Sequence, residues 1–103
     1  MIKTSFPVIE GAVELKYCDQ NKPLFKLLRS SQVVSFVDYY NAGGRKRMVM
    51  KYCREEQKIY FYSTHAVINS LTGDRPSASI ELGKIQPEDK LGYILHYLKE
   101  MMK

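Results

Sequence analysis

The last seventeen residues place the tightest constraint on the fold. Pro87-Glu88-Asp89 leads into Leu91, Ile94, Leu95, Leu98 and Met102, an apolar stripe at helical spacing. Proline and acidic residues at the start, with Lys99 and Lys103 near the end, suit the helix dipole. A helix of this length is marginal alone in water, so its stripe must cover another apolar surface.

That surface is expected from the strands. Ala12 to Cys18 alternates Val13, Leu15 and Tyr17 with Glu14 and Lys16, the period of a half-buried strand. Asp19-Gln20-Asn21, then Pro23, signals a helix start, and Leu24, Leu27 and Leu28 share one helical face. A short helix is favoured there over a strand. From Gln32 the residues turn β-branched and aromatic: Val33, Val34, Phe36, Val37, Tyr39 and Tyr40. This reads as a strand, with Asn41-Ala42-Gly43-Gly44 as its hairpin loop and Arg45 to Cys53 as its return. A turn at Glu55-Glu56-Gln57 leads to a strand from Lys58 to Thr64. Ala66 to Leu71 either extends that strand or forms a short turn. Thr72 to Pro76 is a loop, and Ala78 to Leu82 a fifth, edge strand. The expected fold is a single α+β domain: a twisted antiparallel meander of four or five strands with the C-terminal helix across one face.

The expected register assigns faces. With Tyr40 paired to Arg45, one face carries Val33, Val37, Tyr39, Met48, Met50 and Tyr52, and a three-residue second turn adds Tyr60 and Tyr62. The other carries Phe36, Tyr40, Arg45, Arg47, Lys51, Ile59 and Phe61. The first face is expected under the helix, with Met48, Met50, Leu91, Leu95 and Leu98 buried together. A one-residue slip in either turn would exchange the faces of a strand.

Composition narrows the function. The chain of 103 residues has 45% hydrophobic and 26% charged residues, ordinary globular values. No apolar run approaches the roughly 18 residues of a membrane span, and Met1 to Pro7 has no signal-peptide pattern. An intracellular protein without a membrane association is expected. Cys18, Cys53, His65 and His96 are scattered singly, unlike the close pairs of a zinc site. A Cys18–Cys53 disulfide is geometrically open, but both read as half-buried reduced thiols. No metal or other cofactor is implied. His65 lacks a placed acid for a hydrolytic triad, the acidic residues form no Mg²⁺ cluster, and there is no phosphate loop.

Charge supplies the functional signal. Between Arg45 and Lys58 lie six basic and two acidic residues, so this segment holds +4 of the chain's net +5. Phe36, Tyr40 and Phe61 would stack bases while Arg45, Lys46, Arg47, Lys51 and Arg54 meet phosphates, a platform for single-stranded DNA or RNA. The same cations would also serve an exposed strand's solubility. A meander followed by one amphipathic helix is similar in topology to the PUR-repeat and Whirly single-strand binders, which implies a non-enzymatic nucleic-acid-binding protein. Pleckstrin-homology-like domains share the covering helix. The second reading is accordingly a protein-interaction module, an inhibitor or adaptor, whose basic hairpin meets an acidic protein. In size and charge the chain also resembles small basic toxin ribonucleases, which use Arg, Lys, Tyr and His without a metal. A homodimer is compatible with each reading.

Overall fold

Val13, Leu15 and Tyr17 point to one side of strand β2 (Ala12–Cys18) and Glu14 and Lys16 to the other, as the alternation requires. The computed structural model describes residues 2–3 and 12–101. In it, β1 (Ile2–Lys3) pairs antiparallel with β2. After β2 come α1 (Leu24–Leu27), α2 (Ser30–Asn41), β3 (Arg47–Cys53), β4 (Lys58–Tyr62), α3 (Thr64–Asn69), β5 (Ala78–Glu81) and α4 (Lys90–Met101). Short 3-10 turns at Leu82–Lys84 and Pro87–Asp89 precede α4. The fold is α+β, a sheet with the C-terminal helix on one face. Met102 of the apolar stripe and the basic Lys103, like Met1 and residues 4–7 of the N-terminal stretch, lie outside the described residues.

The segment expected to be the strand from Gln32 to Tyr40 is helix α2. Its β-branched residues argue for a strand, but Val33, Phe36, Val37 and Tyr40 also recur at i, i+3, i+4 and i+7. Burial decides between the two patterns. Phe36 is buried with Val49, Tyr62 and Val67, and Val33 packs against that cluster. Tertiary packing has overridden intrinsic propensity. Asn41 to Gly44 therefore closes a helix, not a hairpin. Gly43 N–H bonds the Tyr40 carbonyl and Gly44 N–H that of Tyr39, a Schellman closure with Gly43 at φ +92°. At Gly44 a Cβ would run into the Tyr39 ring, so any larger residue would have to displace that ring.

With helices between them, β2 and β3 run parallel, Ala12 opposite Arg47 through Cys18 opposite Cys53. The other pairings are antiparallel, and the order is β1-β2-β3-β4-β5. The sheet is thus mixed, not wholly antiparallel, because a chain crossing over through helices returns in the same direction. The turn after β3 spans residues 54–57, with Cys53 opposite Lys58. It is one residue longer than expected, and Gln57 at φ 52° closes it in the left-handed region. That slip exchanges the faces of β4.

The two faces have separate cores. On the α4 side, Val13, Met48, Ile59, Phe61, Ile80, Leu82 and Leu98 are buried together, with Met50, Ile94 and Leu95 packed against them. Leu91 was expected in this strip but is 62% exposed. It stands on the first turn of α4, which lies over β4 and β5. On the opposite side, Leu24, Leu28, Phe36, Val49, Tyr62, Ala66 and Val67 are buried beneath α1, α2 and α3. The Ala66 to Leu71 region, read as strand or turn, supplies α3; Ser63 Oγ caps it by accepting Ala66 N–H at 3.2 Å. No helix among the described residues is long and apolar enough to cross a membrane.

Candidate nucleic-acid interface

The corner where α2 ends and β3 begins gathers Tyr40, Arg45, Lys46 and Arg47. Arg45 lies over the Tyr40 ring, 4.0 Å from its centroid, and its Nη1 donates to the Tyr40 and Gly44 carbonyls at 3.0 and 2.6 Å. This guanidinium therefore sits at the negative end of the α2 dipole. Lys46 is exposed, and its backbone N–H donates to the Tyr39 hydroxyl at 2.8 Å. Arg47 spreads over Phe36 and Tyr39, 4.3 and 5.4 Å from their ring centroids, and donates to Ser35 Oγ at 2.8 Å. Its Nε is buried without a hydrogen-bond partner among the described residues.

The other expected site residues are placed elsewhere. Phe36 lies beneath Arg47 with 1% of its surface exposed, which leaves no face for a base. Phe61 lies on the α4 side of the sheet, fully buried and stacked on Tyr97 at 5.3 Å. Arg54 follows the far end of β3, seven residues or about 23 Å from Arg47 at the rise of an extended strand.

Lys51 is fully buried, and each of its three N–H donors has a partner. They are Asn21 Oδ1 at 2.9 Å, the Lys22 carbonyl at 2.8 Å and Asp74 Oδ2 at 3.2 Å. Asp74 also accepts the Tyr62 hydroxyl at 2.8 Å and the Leu24 N–H at 2.9 Å. Burial, then the bond to Asp74, pushes the Tyr62 hydroxyl well above its ordinary pKa. The cluster fastens the start of α1 to the loop before β5. It is a polar joint in the fold, and it holds the Lys51 charge away from solvent.

Two more cations of the basic segment meet carboxylates. Arg54 Nε is 2.7 Å from Asp19 Oδ1, and Lys58 Nζ is 3.7 Å from Glu81 Oε1. The Tyr17 hydroxyl and the Arg54 guanidinium hold Asp19 below the usual carboxylate range. Arg45 and Arg47 differ: among the described residues their partners are neutral oxygens and aromatic rings, with no carboxylate. Among the described residues, two arginine charges thus stand at one corner without a carboxylate partner.

His65 joins this corner. Thr64 Oγ1 accepts Arg47 N–H at 3.1 Å and donates to the Arg47 carbonyl, which ties the start of α3 to the start of β3. The next residue, His65, is exposed, with Nδ1 3.1 Å from the Tyr40 hydroxyl. The strand reading of residues 32–40 hid this neighbour; the 33, 36, 37, 40 spacing, read as a helix, was the signal that could have shown it. Among the described residues no three His, Cys, Asp or Glu side chains group to hold a metal. Comparison with family models, with curated proteins and with solved structures finds no match.

Proposed function

We propose that the chain binds single-stranded nucleic acid, RNA or DNA, through the phosphate backbone at the α2–β3 corner. One observation carries this reading: Arg45 and Arg47 present positive charge that no carboxylate among the described residues neutralises, on rings that limit their rotamers. Guanidinium groups match phosphate oxygens with paired donors and are weakly hydrated, which suits such a contact. With Phe36 and Phe61 buried, base stacking is left to the partly exposed Tyr40. Backbone contact should therefore outweigh base contact, and binding should be strongly salt-dependent.

The test is fluorescence anisotropy with labelled single-stranded RNA and DNA at low and moderate salt. The expected result is affinity that falls linearly in log–log form with salt. Combining Arg45→Gln with Lys46→Gln should weaken it and flatten that slope, with the circular dichroism spectrum unchanged. Binding of poly-glutamate without any binding of oligonucleotides would assign the corner to an acidic protein instead.

A further inference from the structure

Tyr40 holds an imidazole and a guanidinium about one ring. The His65 ring centroid is 5.9 Å from that of Tyr40, and the Arg45 guanidinium carbon is 4.0 Å from it. His65 and Arg45 are both exposed. His65 Nε2 has no hydrogen-bond partner among the described residues, since the contact to Tyr40 is made by Nδ1. Arg45 commits only Nη1 to backbone carbonyls, which leaves its other N–H groups for a ligand. A proton-transfer group and a positive charge are thus both held by Tyr40, the two kinds of group that cleavage of a phosphodiester by its own ribose needs.

Resting on the nucleic-acid reading above, we propose that this corner cleaves RNA by internal transesterification. In the tautomer in which Nδ1–H donates to the Tyr40 oxygen, His65 Nε2 takes the proton of a ribose 2′-hydroxyl. The 2′-oxygen then bonds to the adjacent phosphorus and the bond from phosphorus to the 5′-oxygen breaks. The departing 5′-oxygen takes a proton from water, and the imidazolium returns its own to solvent. The products are a 2′,3′-cyclic phosphate and a 5′-hydroxyl, with no co-reactant consumed. Arg45 lies against the equatorial oxygens as their negative charge grows. Tyr40 is a positioning residue. Its hydroxyl donates and accepts, so it holds the imidazole in either tautomer.

The experiment measures binding and cleavage separately on one labelled RNA, alongside the same sequence with a 2′-deoxyribose at each position. The wild type is expected to bind both and to cut only the RNA, leaving cyclic-phosphate ends. His65→Gln should lose 100-fold or more in cleavage rate with its dissociation constant within twofold. Tyr40→Phe keeps the ring under Arg45 and should lose about tenfold or more in rate, again with binding retained. RNA bound but left intact, or cut equally fast by His65→Gln, overturns the proposal and leaves the binding reading standing. Failure to bind either strand removes the binding reading, and this one with it.

Discussion

Arg45 and Arg47, at the entry to β3, and Lys51, in its middle, carry like charge within seven residues, yet their surroundings are opposite. Lys51 is fully buried, its three donors are taken by protein oxygens, and Asp74 neutralises it. The arginines rest on aromatic rings and donate to carbonyl and hydroxyl oxygens, so their charge remains available to a partner. Arg54 and Lys58 fall with Lys51, each matched to a carboxylate. Charge counted along the chain is therefore a different quantity from charge offered at the surface. The +4 of one segment resolves into three internally paired cations and a short basic corner.

The largest test of this contrast is Asp74→Ala. It strands a buried ammonium and removes the acceptor of Tyr62 and Leu24, so it should cost about 3–5 kcal/mol in urea unfolding. A loss below about 1 kcal/mol would mean that Lys51 finds water, and the contrast would collapse. Alkaline stability comes next. Tyr62 ionises near pH 10 in the unfolded chain but higher in the folded one, so its contribution is complete below that pH and is lost above it. Stability should fall by about 1.4 kcal/mol per pH unit for this tyrosine. Tyr62→Phe should remove that share of the slope, and an unaltered slope would contradict the buried hydroxyl. Lys51→Met should cost less than Asp74→Ala, because it leaves no buried unpaired cation, although Asp74, Asn21 Oδ1 and the Lys22 carbonyl lose a donor. The Asp74 side chain, 22% exposed, can then rehydrate. A cost as large as that of Asp74→Ala would show the ion pair itself to be stabilising. Smallest of all, Arg54→Gln should leave the melting temperature unchanged, since its pair with Asp19 is open to water.

Much of this architecture was legible in the residues. The alternation of Val13, Leu15 and Tyr17, the Pro23 helix start, the Met48/Met50/Tyr52 face and the Ile94–Leu95–Leu98 stripe each mark an element that forms. In β2 the burial does not follow the period: Leu15 and Tyr17 are exposed, while Glu14 on the opposite side is buried. Residues 32–40 satisfied two periods, and local preference pointed to the wrong one because the contacts of Phe36 with Val49 and Tyr62 are remote in sequence. The displacement of Phe36 and Phe61 from the expected platform follows from that reading and from the four-residue turn at 54–57. A helix at α2 covers the face where a platform was expected, and the turn moves Phe61 to the other side of the sheet. The burial of Lys51 depends on Asn21, Lys22 and Asp74 arriving from two separate loops, a convergence no local pattern encodes.

In the proposed function the corner arginines, and not the paired cations, make the binding surface. The direct measurement compares single-stranded RNA affinity across salt for Arg45→Gln/Lys46→Gln and for Arg54→Gln. The corner variant should lose affinity and flatten the log–log salt slope, while Arg54→Gln should match the wild type in both. Equal losses in the two variants, or a corner variant that binds as the wild type does, would contradict the proposed function.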